Sequence, residues 1–316
     1  MHIRKAVEGY HIDLLADGKS PATIRWYMHK LRYFTEYLEA HGLPVEAGLL
    51  RREHILEFLV YLRSINAAVD GRAYVAKDRL SSLTVKGYAQ VIKTFCCWLR
   101  RNGLSRVNAA ADLAMPRVGK YVVEAFTADE VRRMLQVAQQ SREGARDYTI
   151  ILLLYDTAMR LGELVRLTLD DVDMEGGWVK VRGKGARERV VPVGRTAKRA
   201  LWRYVAMYRR EPAQAREQAV FLNQRGEQLS GAGVYKLVRQ AAERAGIRGK
   251  RLSPHTLRHA AAEDFLRNGG DAFTLQKLLG HTTLAVTRMY VDLVAKDVAE
   301  AHKRASPGDN LRLRLR

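Results

Sequence analysis

The sequence predicts a mainly α protein with a small antiparallel β insert, divided into two domains. Three observations carry that prediction. Apolar residues recur at helical spacing along most of the chain. Alternating, β-rich runs are confined to Trp178–Val181 and Arg189–Val193. At 316 residues the chain exceeds one ordinary core, and Met115–Glu124, with Pro116 and Gly119, interrupts the periodicity. The predicted division is a helical domain over 1–115, a linker over 116–125, a second domain over 126–305 and a basic tail over 306–316.

The first helix is expected from Ser20-Pro21, an N-cap followed by proline at the first helical position, to Gly42. Ile24, Met28, Leu31, Phe34 and Leu38 form its apolar face. A second helix is predicted over Glu53–Ser64 and a third from Ser81-Ser82 to Gly103, with a short fourth after Asn108. The first and third match at an offset of 61 residues, pairing Ser20 with Ser81, Tyr27 with Tyr88 and Gly42 with Gly103. Two capped amphipathic helices of one bundle obeying the same rules are the favoured explanation, and a duplicated helical hairpin is the alternative. Lys86, Lys93 and Arg100 are seven apart and stack on one face of the third helix, opposite Ile92, Phe95 and Leu99. Such a stripe is either a solvated cationic face or a DNA contact.

After the linker, Thr127-Ala-Asp-Glu130 is a capping box opening a new helix. Asp147–Asp156 reads as a buried helix and Gly162–Leu167 as the next. The two β runs flank Gly183-Lys184-Gly185 and form a hairpin. Helices follow over Arg195–Tyr208, Gly233–Ala245, Pro254–Arg267, Ala272–Leu279, Leu284–Tyr290 and Ala295–Arg304. The alternating Leu311–Arg316 tail has no expected core contact.

Composition narrows the function. Hydrophobic content of 47% supports ordinary cores. No apolar run is long enough for a membrane span, and Met1-His2-Ile3-Arg4-Lys5 does not begin a signal peptide, so a soluble, cytoplasmic protein is expected. Cys96 and Cys97, adjacent in a helical pattern, read as buried structural thiols. A net charge of +20 points to a polyanion. Charge alone does not separate DNA from RNA or from a membrane surface.

Ser253-Pro254-His255-Thr256-Leu257-Arg258-His259 is the densest motif. It puts His255 and Arg258 on one helical face at a capped N-terminus, where the helix dipole favours an anion. His259 lies four residues from His255, but Thr256 stands where a metalloprotease motif needs glutamate, so no metal site is expected. Arg160 sits between two apolar helices with Glu163 one turn on to hold it. Lys184 lies between two glycines. Gly280 ends a helix just before His281, and Tyr290 follows nine residues later. Singly, each has a bland explanation: an ion pair, a turn lysine, a surface tyrosine.

Their order is specific. Arg160, Lys184 in a hairpin, His255-x-x-Arg258, Gly280-His281 and then Tyr290 resembles the tyrosine recombinase (phage integrase) family over nearly the whole chain. Two departures are Ala158, where the family usually has glycine two residues before the first arginine, and Val291-Asp292 after Tyr290. The resemblance implies an N-terminal helical-bundle core-binding (SAM-like) domain and a tyrosine-recombinase catalytic domain. It implies that Tyr290 attacks the scissile phosphate and becomes joined to the 3′-phosphate. His255 would be proton acceptor or positioner, Arg160 and Arg258 would clamp the phosphate oxygens, His281 would add a hydrogen bond, and Lys184 would protonate the departing 5′-oxygen. No cofactor, metal or ATP would be needed.

The same resemblance implies a site-specific recombinase, Xer-like or transposon-borne, working as a homo-tetramer through a Holliday junction on double-stranded DNA with inverted-repeat sites. Residues 295–304 would dock on the neighbouring protomer, and an accessory protein or paralogous recombinase could take part. Because the first capped helix is expected at Ser20, no additional arm-binding domain is expected. A type IB topoisomerase-like nicking and resealing enzyme, or a non-catalytic DNA-binding regulator, are the alternatives.

Overall fold

Serine caps and proline set the frame of the N-terminal helices. The computed structural model describes residues 1–64, 80–117, 124–183 and 188–280, and the chain divides into two compact units, Met1–Tyr121 and Val122–Arg316. The first unit contains α1 (Ile3–Ala16), α2 (Pro21–Ala40), α3 (Arg52–Ser64) and α4 (Ser82–Arg101). Ser20 and Ser81 each accept the backbone N–H of the threonine three residues on, at 3.2 Å, so the matched helices α2 and α4 start alike. Gly42 and Gly103, with φ of 61° and 70°, close both in the left-handed region. Leu31, Phe34 and Leu38 of α2, Ile55, Phe58 and Leu62 of α3, and Val85, Tyr88, Ile92 and Phe95 of α4 are buried together.

Helix α1 lies ahead of the predicted first helix, which corrects the expectation that helical structure begins at Ser20. Its N-cap is His2, whose Nδ1 accepts the Arg4 N–H, rather than a Ser, Thr, Asp or Asn. Ile12 and Leu15 are exposed and blur a core face made of Ile3, Ala6, Tyr10 and Leu14. The Tyr10 ring packs on Tyr27, Phe95 and Trp98, and the Trp98 indole N–H donates to Asp13 Oδ2 at 2.6 Å. The predicted fourth helix is instead a turn, in which Asn108 Oδ1 accepts the Ala110 N–H and its carbonyl accepts the Ala111 N–H. Cys96 is buried as expected, whereas Cys97 is exposed, because it falls one step outside the apolar face.

The second unit comprises α5 (Ala128–Gln139), α6 (Gly144–Thr157), α7 (Leu161–Val165), β1 (Val172–Asp173), β2 (Trp178–Arg182), β3 (Glu188–Pro192), α8 (Arg195–Arg203), α9 (Gly231–Arg244), α10 (Pro254–Arg267) and α11 (Ala272–Leu279). The capping box at Thr127 and Glu130 closes in both directions, at 3.2 and 2.8 Å. The strands form one antiparallel sheet in the order β1-β2-β3, with Val179 opposite Val191 and Val181 opposite Arg189. The two-residue β1 is too short to give an alternating pattern and was not anticipated. The segment predicted as one helix to Tyr208 is α8 followed by a wide π-type turn over Tyr204–Tyr208. Ile150, Ile151, Leu153 and Leu154 of α6 are buried with Val131 and Met134 of α5 and Leu257 and Ala260 of α10. Lys184 and the helices predicted over 284–290 and 295–304 lie outside the described residues, as does the tail.

If α1 is held through Tyr10, Tyr10→Ala will destabilise the first unit by about 3–5 kcal/mol, the range for emptying a buried aromatic site. Ile12→Ala, two residues away on the exposed face, will change it by less than about 0.5 kcal/mol. Urea titrations followed by circular dichroism check both values, and equal effects would mean that α1 does not pack on this face.

Candidate active site

Helix α6 is capped at its C-terminus by Ala158, whose φ of 49° and ψ of 24° are left-handed; it is the one non-glycine among the described residues with positive φ. That turn explains why glycine suits this position, and it delivers the chain to Arg160, the N-cap of α7. The Ala158 side chain is buried against Ala261, Ala262, Leu275 and Leu279. Its carbonyl accepts Arg258 Nη1 at 2.6 Å.

Arg258 comes from α10, where Ser253 caps the helix by accepting the Thr256 N–H at 3.2 Å and Pro254 occupies the first turn. Its side chain is buried, and Nη2 donates to the Leu279 carbonyl at 2.8 Å. Arg160 reaches the next carbonyl, with Nη2 donating to Gly280 O at 3.3 Å and Nη1 to Glu163 Oε1 at 3.0 Å. Arg160 and Arg258, 98 residues apart, therefore converge on the turn that ends α11 immediately before His281. Part of Arg160 remains open, its side chain being 42% exposed.

Glu163 is 2% exposed and accepts four hydrogen bonds. Oε1 receives Arg160 Nη1 and Arg189 Nη1, and Oε2 receives the Arg160 backbone N–H and Arg189 Nη2, all between 2.8 and 3.0 Å. Burial alone would raise the carboxyl pKa. The Arg189 fork and the Arg160 donors outweigh it and hold the pKa down at about 2. Arg189 Nε also donates to the Leu278 carbonyl at 3.0 Å. Arg189 was anticipated only as a strand residue. Its one signal in the sequence is a charge at an inward position, two residues from buried Val191 on β3.

His255 is exposed on the first turn of α10, its ring edge-to-face with buried His259 at 4.4 Å between centroids. Its pKa is lowered by partial desolvation and then by the charges of Arg258, Arg251 and Arg160, which favours the neutral imidazole. Among the described residues no group of three or more His, Cys, Asp or Glu side chains could hold a metal ion, and no helix is long and apolar enough to cross a membrane. Lys184, His281 and Tyr290 lie outside the described residues. In the first unit, Lys86 and Arg100 are exposed on α4, while Lys93 between them is half-buried and donates to the Leu113 carbonyl at 3.3 Å.

Residues 124–296 match the phage integrase family. A tyrosine recombinase XerD from Listeria monocytogenes is 30% identical over 301 residues, covering 94% of this chain and 96% of the relative. Two solved structures share the fold. The XerH site-specific recombinase, bound to a palindromic difH substrate in a post-cleavage complex, gives a TM-score of 0.70 at 22% identity over 93% of this chain and 82% of that one. A lambda integrase tetramer bound to a Holliday junction gives 0.67 at 19% identity over 90% and 78%. With a family match over more than half of its length and a relative 30% identical over 94% of it, this chain belongs to the phage integrase family, the tyrosine recombinases.

Proposed function

We propose that this protein is a site-specific DNA recombinase that cleaves and rejoins duplex DNA through a 3′-phosphotyrosyl bond at Tyr290. The observation that carries the proposal is the convergence of Arg160 and Arg258 on the Leu279–Gly280 turn, one residue before His281. Two planar, permanently charged forks so placed suit the non-bridging oxygens of a phosphate, whose charge grows in the pentavalent transition state. The Tyr290 phenolate oxygen forms the new P–O bond as the bond to the 5′-oxygen breaks. His255 accepts or orients the phenolic proton, His281 adds a donor and Lys184 supplies the proton that the 5′-oxygen takes. The phosphodiester bond energy is kept in the tyrosyl ester, so rejoining by a 5′-hydroxyl reverses the step without ATP or metal.

The partner is double-stranded DNA carrying paired inverted repeats, to which the +20 net charge contributes salt-dependent affinity. Lys86 and Arg100 on α4 are exposed and suited to phosphate contacts. Four copies acting through a Holliday junction, with residues 295–304 docking between protomers, complete the proposal, with or without an accessory protein or paralogous recombinase. The site of action is the cytoplasm, at the nucleoid. Glu163 acts on the chemistry by holding Arg160.

On a nicked suicide duplex whose sequence is selected for binding from a random pool, the protein will form a covalent adduct. Tyr290→Phe will bind the same duplex and form none. A protein that binds specifically yet leaves no adduct is a regulator and not a recombinase, and relaxation of any supercoiled plasmid without site preference would mark a topoisomerase.

The lowered His255 pKa sets the acid limb of cleavage. If neutral His255 accepts the proton, the cleavage rate at subsaturating duplex, which reports the free protein, will hold as pH falls through 6.5 and be half lost only below it. His255→Gln will abolish that limb. A midpoint at or above 6.5 would rule out His255 as the base.

Glu163 also links stability to pH. Its carboxyl is depressed from 4.5 to about 2, so it stabilises the fold above pH 4.5, and that contribution disappears as pH falls toward 2. The shift corresponds to about 3 kcal/mol at neutral pH. Glu163→Gln will be less stable at pH 7, and its urea midpoint will approach that of the wild type as the pH is lowered through this window. A difference independent of pH would show that the carboxylate is not ionised in the fold.

A further inference from the structure

Arg189 is an inward-facing charge on a strand, and the recombinase reading assigns it no part. Along β3, Glu188, Val190 and Pro192 are exposed while Arg189 and Val191 point in. A guanidinium partly withdrawn from water is stable only when its donors are paired in good geometry. Here three of them are paired: Nη1 and Nη2 grip both oxygens of Glu163 at 2.8 and 2.9 Å, and Nε donates to Leu278 O at 3.0 Å. The fork also lies against the turn ending α11. A Cβ on Gly280, at φ of 62°, would stand 3.0 Å from Arg189 Nη1 and 3.1 Å from Cζ.

One side chain thus touches three parts of the site. Through Glu163 it reaches Arg160. Through Leu278 it fixes the carbonyl that precedes the two held by Arg258 and Arg160, and it lies against Gly280. Through its own backbone it belongs to the hairpin strand five residues after Lys184, paired with Val181 of β2. Resting on the recombinase reading, we infer that Arg189 is a positioning residue for strand cleavage. It sets Arg160, the α11 turn ending at Gly280 and strand β3, which follows Lys184 in the sequence, in one register, and it touches no DNA itself. Lysine cannot replace it, because an ammonium cannot grip both carboxylate oxygens in plane and also reach the Leu278 carbonyl.

The test uses the full-length chain with Arg189→Lys and Arg189→Gln, assayed on the suicide duplex well below each variant's melting temperature. Single-turnover cleavage at saturating duplex is expected to fall about 10²-fold in both, the effect of a misplacement near 1 Å. Duplex affinity should stay within about threefold, and lysine should give no rescue. A role in charge balance alone predicts rescue by lysine, so a near-normal rate in Arg189→Lys overturns the inference. So does a loss in Arg189→Gln that follows only the unfolded fraction.

Should both variants fail to fold, Gly280→Ala decides, since its methyl presses on the same guanidinium. Normal cleavage by the folded Gly280→Ala protein also overturns the inference. Amide hydrogen exchange over residues 275–280 reads the positioning without catalysis. Faster exchange in Arg189→Lys is expected, and unchanged exchange overturns the inference even if the wild type forms no adduct, a result that would count separately against the recombinase reading.

Discussion

The site depends on one buried carboxylate. Glu163 is an ion taken out of water, which costs several kcal/mol unless its lone pairs are satisfied. They are satisfied by two guanidiniums and one backbone N–H, so the carboxylate stays charged and the arginines stay fixed. The exchange is mutual. Arg160 and Arg189 would repel one another without it, and Glu163 would be neutral without them. A planar fork with several donors can hold the carboxylate and a carbonyl together, which is why the neighbours are arginines and not lysines.

The second consequence concerns the end of α11. Its last carbonyls point out of the helix carrying the negative end of the dipole, and three arginines from three different elements take three successive ones: Arg189 at Leu278, Arg258 at Leu279 and Arg160 at Gly280. A short helix is thereby anchored at the point where the chain passes on to His281. Among the described residues, Glu163 is the carboxylate that pairs Arg160 and Arg189, so these three cations keep an excess of positive charge. The His255 pKa is lowered by partial desolvation and then by Arg258, Arg251 and Arg160, two of which belong to this set. A phenol brought into that field would be shifted the same way, toward its ionised form, which is the help a tyrosine nucleophile needs near neutral pH.

The legible parts of the fold were those set by local rules. Ser20-Pro21, Ser81, Thr127 with Glu130, and Ser253-Pro254 are capping signals whose effect is complete within one turn, and each begins a helix in the structure. Helix α1 was missed because His2 is not a usual cap and because exposed Ile12 and Leu15 dilute its apolar face. In the site, Arg160 and Arg258 stood out through motif spacing, and Glu163 through its place one turn from Arg160. Arg189 could not be found that way. Its partners are 26 and 89 residues distant, and only the folded sheet brings a strand arginine to a helix end.

Ala158 shows how the fold accommodates a departure from the pattern. A left-handed residue with a Cβ costs about 1–2 kcal/mol, and glycine would avoid it. The same Cβ fills a small cluster with Ala261, Ala262, Leu275 and Leu279, where a buried methyl is worth about 0.8 kcal/mol, and alanine restricts the unfolded chain more than glycine does. The opposing effects are of similar size, so alanine is admissible here, whereas a β-branched residue would add both torsional and packing strain. The backbone geometry is what the site requires, because it turns the Ala158 carbonyl to Arg258 and starts α7 at Arg160. The constraint therefore lies on φ and ψ at this position, and the side chain is free to be either of the two smallest.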